Sequence, residues 1–285
     1  MIRTPLSTVV GGAFWTPEAT IVGGTSKKTF DQLIKSLFAN GEQGFAYDPN
    51  DLTTMFQDSA GTVPVTAAGQ PVGLILDKSG RNNHAYQTVS ASRPILQRNA
   101  TTGAYYLAFD GSDDFLVTGN IDFTATDKVS LFTGVYKAVD SIKIITEFSA
   151  SVNSNAGSFQ LITVSTPENG YASLSRGTAS ASSVAKAISS TYPAPDGAVL
   201  SAKHNISTDL SSISRNGVVG TDGSKDQGSG NFGNYPLYIG KRGGTSLAFY
   251  GHIYSLIGVG KLTTDSETAA IEKELAKRTG VTLNV

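Results

Sequence analysis

Cleaving a glycosidic bond takes two carboxylates standing across it, one as acid and one as nucleophile or base. The chain carries Glu at positions 18, 42, 147, 168, 267, 272 and 274. The closely spaced pair, Glu272 and Glu274, falls in a stretch with helical patterning, where residues two apart point away from each other. That chemistry is therefore not expected, and neither is acyl transfer, because no strand–turn–helix nucleophile elbow is present. His84, His204 and His252 have no metal-ligand spacing. His84 reads as a turn residue and His252 as a packed strand residue. The expected set of catalytic residues is empty.

Two groups of side chains could bind rather than react. Asp110, Asp113 and Asp114 sit together in an Asp-Gly-Ser-Asp-Asp turn. Calcium is the cation such a set would take, although a hard cation also wants oxygens from other loops. The competing reading is a solvated hairpin turn in which Asp110 bonds the local backbone. Tyr171, Tyr192, Tyr235 and Tyr250 lie in or near polar segments and are the candidates for stacking on sugar rings.

Short strands must position these groups. Val129–Tyr136, Ile142–Phe148, Phe159–Val164, Tyr171–Leu174, Ala198–Ile206, Ser211–Arg215, Leu237–Ile239 and Phe249–Val259 are rich in β-branched and aromatic residues. Gly, Asn, Ser and Pro break them at intervals, the spacing of a sandwich and not of βαβ units. Asn216-Gly217 is a type I′ hairpin signal. Arg176–Ser183 and Asp222–Gly233 read as long polar loops. Two helices are expected. Phe30, Leu33, Ile34, Leu37 and Phe38 form one apolar stripe behind a Thr29/Gln32 capping box. Thr264 and Glu267 cap a second helix that ends at Gly280. Asp51–Asp58 reads as a short helical turn. Residues 1–28 are expected to form an extended arm with one strand at Thr20–Val22, and Trp15 is expected to pack. The five stripe residues are the expected docking face, toward the sandwich itself or toward another subunit.

The bulk properties narrow the function classes. Hydrophobic residues make up 39% and charged residues 16% of the 285-residue chain, so disorder of the charged, extended kind is not expected. A formal net charge of −1 gives no basic surface for nucleic acid. With no Cys, disulfides and thiolate metal sites are excluded. No apolar run is long enough to span a membrane, and Pro5 and Gly11-Gly12 make the first residues a poor secretion signal.

The order of the turns adds a resemblance. Asp77-Lys78-Ser79-Gly80-Arg81-Asn82-Asn83-His84-Ala85 is followed by a strand ending Phe109-Asp110-Gly111-Ser112-Asp113-Asp114-Phe115-Leu116. Toward the other end, Leu237-Tyr238-Ile239-Gly240 precedes Phe249-Tyr250-Gly251-His252-Ile253 and a helix. This pattern resembles the laminin-G-like domains of the concanavalin A-like lectin/glucanase superfamily over roughly residues 70–285. The segment from Leu37 to Gly80 resembles one that leads into such domains in tailed-phage virion proteins, which usually have a Trp before the Tyr47-Asp48 position. The resemblance implies an all-β, concanavalin A-like jelly-roll sandwich (70–285) behind an arm, helix and connector (1–69), with a short C-terminal helix. It implies a non-enzymatic structural protein located in the virion and made in the host cytoplasm, whose partners are other virion proteins and copies of itself. The alternative is a carbohydrate-binding adhesin for host surface glycans. A polysaccharide-degrading enzyme is the third reading. No nucleic acid, membrane or cofactor is expected, with calcium the one cation to test.

Overall fold

The computed structural model describes residues 28–179, 183–186 and 192–284. Among these, two antiparallel sheets pack face to face as an all-β sandwich, with a helix from each end of the described chain laid on one outer face. The first sheet runs β15 (Val218–Val219), β14 (Leu210–Arg215), β13 (Asp196–Asn205), β8 (Lys128–Lys137), β17 (Tyr250–Val259), β6 (Tyr105–Asp110) and β5 (Ile95–Arg98). The second runs β12 (Ser183–Lys186), β11 (Tyr171–Arg176), β10 (Ser158–Thr163), β9 (Lys143–Phe148), β16 (Asn234–Ile239), β7 (Leu116–Asp122), β4 (Ala85–Tyr86), β3 (Leu74–Ile75) and β2 (Met55–Phe56). Phe123, Phe148, Phe159 and Phe232 meet edge-on or stacked between the sheets, and Phe45, Val135, Leu200 and Ile253 belong to the same core. Each strand expected from the alternation is present, within three residues at either end. Asn216 and Gly217 both take positive φ, 52° and 84°, and join β14 to β15, as a type I′ turn requires.

Central strand β17 organises the first sheet. Its early half pairs with β6, from Tyr250–Asp110 to Ile253–Leu107, and its late half with β1 (Gly44–Tyr47), while β8 lies along its other edge. The register shifts between Ile253 and Ser255. Over the late half, the outer face is covered by α1 (Phe30–Leu37) and α2 (Asp265–Thr279), which pack on Ala46, Phe132, Val199, Ile257 and Val259. Both helices have the expected reciprocal capping boxes, Thr29 with Gln32 and Thr264 with Glu267, and Gly280 ends α2 at φ 79°.

Several expectations are corrected here. The boundary at 69/70 is not a structural one, because β1 and β2 lie inside the two sheets and α1 is seated on the first. The docking stripe is spent within the chain. Phe30, Ile34, Leu37 and Phe38 are buried against α2 and the sheet, and Leu33 packs at their edge. An apolar helix face finds the nearest apolar surface, and the late half of β17 offers one. Asp51–Asp58 is only a short 3₁₀ turn, Leu52–Thr54, running directly into β2. Strand β12 begins at the end of the expected loop Arg176–Ser183. Trp15 and Thr20–Val22 lie outside the described residues.

Two polar clamps hold the early chain to the sandwich. Asp77 is buried; its Oδ1 accepts from the Ala46 N–H and the Ser79 N–H at 2.8 Å each, and its Oδ2 from Ser79 Oγ at 2.5 Å and the Asn83 N–H at 3.0 Å. Asn83 Nδ2 donates to the Gly44 carbonyl at 2.7 Å. His84 Nδ1 accepts from the Asp77 N–H at 3.0 Å, the turn role expected of it. The D-x-S-G-x-x-N turn is thus a bracket that fixes β1 against β17. In the second clamp, Arg278 at the end of α2 pairs with buried Asp48 and lies over the Phe30 ring at 3.9 Å.

Candidate functional site

Beyond the helices, the outer face of the first sheet is open. The outward residues of four adjacent strands, β8, β17, β6 and β5, form a groove of about 440 Å³ there, with Gln97, Ala108, Asp110, Tyr136, Tyr250 and His252 among its lining. Side chains alternate along a strand, so Tyr250 and His252 point outward while Gly251 and Ile253 are buried. His252 pairs directly with Tyr136 on β8 and with Ala108 on β6. Its imidazole stacks on Tyr136 at 4.7 Å and on Tyr106 at 4.0 Å, with interplanar angles of 18° and 21°. Tyr254 tilts against Tyr106 at 5.1 Å and receives a hydrogen bond from Asn99 Nδ2. Tyr250 is 47% exposed. The turn after β6 can lie against it because Gly111 has no side chain; an added Cβ would sit 2.7 Å from Tyr250 Cβ, at a φ of 80°.

The polar ends of these rings are unspent. Among the described residues, the hydroxyls of Tyr106, Tyr136 and Tyr250, the His252 nitrogens and the Gln97 amide make no hydrogen bond within the chain. By contrast, the hydroxyls of Tyr47, Tyr171 and Tyr235 are committed, to the Asn83 carbonyl, Asp196 and the Ala156 carbonyl, while those of Tyr86, Tyr105 and Tyr238, outside the groove, make no hydrogen bond among the described residues either. An apolar wall with a few convergent polar groups is the usual make-up of a small-molecule site. Burial pushes the His252 imidazole down to about 4, so it is neutral at physiological pH.

Asp110 and Asp114 close one end of the groove. Asp110 is exposed, and its Oδ1 accepts from the Ser112 and Asp113 N–H groups at 2.8 and 3.3 Å. Asp114 is buried beneath it, its Oδ2 accepting from the Asp110 N–H at 3.0 Å. Burial and then the neighbouring Asp110 charge raise the Asp114 carboxyl to about 7, and Asp113 adds to the rise. Asp113 accepts from Ser92 Oγ at 2.7 Å. The structure thus gathers Asp110, Asp113 and Asp114, with carboxylate oxygens within 4.8 Å of one another, and gives each a local hydrogen bond, as the hairpin-turn reading requires. A hard cation takes six or more oxygens, and of the six these carboxylates carry, Asp110 Oδ1, Asp113 Oδ2 and Asp114 Oδ2 already accept hydrogen bonds.

Asp114 has a testable pH signature. Its folded-state pKa lies above its unfolded value, so its stabilising contribution is present in acid and is lost as pH rises through about 7. We expect Asp114→Asn to gain melting temperature relative to the wild type between pH 5.5 and 8.5. The imidazoles of His204 and His252, held down to about 3 and 4 by burial, act in the opposite sense. Both are present in both proteins and cancel in the comparison. Melting curves across that range decide it; a difference independent of pH removes the assignment.

Of the tyrosines expected to stack on sugars, only Tyr250 lines the groove. Tyr171 is fully buried between the sheets beside Lys137. Tyr235 packs on the core, edge-on to Phe148 at 5.6 Å. Tyr192 lies under the Arg215 guanidinium at 3.5 Å. Those three are corrected from binding to packing residues. The groove residues not expected were Tyr136, Gln97 and, as a ligand-facing group, His252, with Tyr106 stacked on His252 beside the lining. Tyr250, His252 and Tyr254 at alternate positions did mark an aromatic stripe on one strand face. Tyr106 and Tyr136 join it only through strand pairing.

No protein-family model matches the sequence, and no curated protein matches it. Among solved structures, the chain is similar to the botulinum neurotoxin serotype D binding domain at 13% identity, covering 70% of this chain and 48% of that one, with a TM-score of 0.53. A serotype D ligand binding domain in complex with N-acetylneuraminic acid aligns at 12% identity over 70% and 48%, TM-score 0.50. A GH54 α-L-arabinofuranosidase aligns at 12% identity over 86% and 65%, TM-score 0.55. The chain therefore spans about half the length of the toxin structures and just under two thirds of the arabinofuranosidase. These likenesses establish the β-sandwich fold.

Proposed function

We propose that the chain is a non-enzymatic structural protein of a tailed-phage virion whose sandwich presents a carbohydrate-binding face. The observation that carries the binding role is the convergence of Tyr106, His252, Tyr136 and Tyr250 on one open sheet face with their polar ends unspent. Sugars present apolar C–H faces and hydroxyl edges, which suits rings that offer both packing surface and donors. The fold likeness to toxin binding domains is consistent with a binding role for a sandwich of this kind. The virion assignment rests on the resemblance of residues 37–80 to a segment that leads into laminin-G-like domains in tailed-phage virion proteins. Assembly with sister subunits and other virion proteins belongs to the same proposal. It must use surfaces other than the stripe of α1, which the sandwich covers.

The carboxylates support a binder over a hydrolase. Glu147 is buried, held by Arg242 Nε at 2.9 Å and by the Val152 N–H at 2.7 Å. Glu272 is buried against Ser201 Oγ. Asp110 and Asp114 are both held by hydrogen bonds within one hairpin turn. The test is a glycan array probed with the full chain and with Tyr250→Ala and His252→Ala. We expect binding that falls about tenfold or more in each variant, with no release of reducing sugar from the ligands. Undiminished binding in both variants moves the site elsewhere. Steady sugar release lost in Asp114→Asn would make the protein an enzyme. Mass spectrometry of purified particles that encode the chain tests the virion assignment separately.

A further inference from the structure

We infer that the groove selects uncharged, hydroxyl-rich sugars and rejects acidic ones; this rests on the carbohydrate-binding reading above. The charged side chains lining the groove are Asp110 and Asp114, and no Lys or Arg lines it. Carboxylate and phosphate ligands are recognised through Arg, Lys or clustered backbone N–H groups. Here the Asp110 N–H is bonded to Asp114 Oδ2, and the Ser112 and Asp113 N–H groups to Asp110 Oδ1. Lys241 lies over the Phe115 ring outside the lining and lowers Asp114 only as the last of its influences. His252 is neutral, so it adds no positive charge.

The same groups suit a neutral sugar. Asp110 is exposed and keeps Oδ2 without a partner among the described residues, ready to accept a sugar hydroxyl in a charge-assisted bond. The tyrosine hydroxyls and the Gln97 amide supply donors and acceptors along the opposite side. Placing a second carboxylate within a few ångströms of Asp110 would set like charges against each other in a partly desolvated cleft. A groove of about 440 Å³ falls within the ~300–1,000 Å³ typical of small-ligand sites.

The experiment titrates the full chain, at pH 7.5 and physiological salt, with neutral hexose oligosaccharides. Matched oligosaccharides carrying N-acetylneuraminic acid or a uronic acid form the second arm. We expect the neutral ligands to bind and the acidic counterparts to bind at least tenfold more weakly, with Asp110→Asn weakening neutral binding and narrowing the gap. Asp110 is exposed and its substitution is checked by melting temperature; if that variant does not fold, the wild-type ratio decides alone. Acidic ligands binding as well as neutral ones overturn this inference and leave the carbohydrate reading standing. Binding of neither class overturns the carbohydrate reading, and the selectivity with it.

Discussion

A chain beginning at Gly69 will not fold. That truncation removes α1, β1 and β2, and with them Phe30, Ile34, Leu37, Phe38, Phe45, Tyr47 and Met55, all buried in the two apolar clusters. Each such side chain contributes roughly 1.5–3 kcal/mol when buried, so together they exceed ~10 kcal/mol, the scale of a whole domain's stability. The late half of β17 would also lose its β1 partner, exposing a row of ladder hydrogen bonds. Circular dichroism and a melting curve on the truncated chain are the measurement, with the full chain beside it. A soluble, cooperatively melting product would show that residues 1–68 are an appendage and restore a boundary near 69/70. A chain beginning at Lys28 keeps every element described here. Loss of self-association in that chain, with its fold intact, would place assembly in residues 1–27.

Asp77→Ala is the point substitution with the largest expected cost. One buried carboxylate accepts four hydrogen bonds that tie the turn to itself and to β1. Removing it leaves the Ala46 N–H without a partner at a position with no solvent exposure. Hydrogen bonds to a charged group contribute ~1.5–3 kcal/mol each, and an orphaned buried donor costs ~1–3 kcal/mol. The losses overlap, so a total of about 3–5 kcal/mol is expected, a fall in melting temperature of roughly 10 °C. Asp77→Asn should recover part of it, because an amide oxygen still accepts. A loss under ~1 kcal/mol would mean that β1 is held by its apolar contacts alone.

The helices were legible because their ends carry local chemistry. Thr29 with Gln32 and Thr264 with Glu267 act within one turn, so no distant contact has to be known. Most strands were legible from alternation. Strand β1 was not, because Gly44, Phe45, Ala46 and Tyr47 are all buried, with the core on one face and the helices on the other. A strand buried on both faces shows no period. The role of α1 was misjudged for a related reason. Its stripe announced a partner surface, and nothing local tells the chain's own sheet from another subunit's. The groove was half legible: Tyr250 was read as a stacking candidate and lines it, whereas Tyr171 and Tyr235 were read the same way and pack in or against the core. Tyr106, Tyr136 and His252 are far apart in sequence and become one stack only when β6 and β8 flank β17.

The register shift between Ile253 and Ser255 reaches beyond the ladder it interrupts. Before it, even-numbered residues of β17 face outward and present Tyr250 and His252 to the groove. After it, odd-numbered residues do, and Ile257 and Val259 seat the helices. The strand therefore carries a phase slip, and its groove half and its helix-bearing half are written in separate frames. Substitutions at 250 and 252 can reshape the groove without disturbing the helix seat. Deleting a single residue at the slip would invert one half relative to the other, turning either the ring stripe into the core or the helix seat toward the sandwich interior. The slip gives the two tasks room to diversify independently while fixing the length of the strand that joins them.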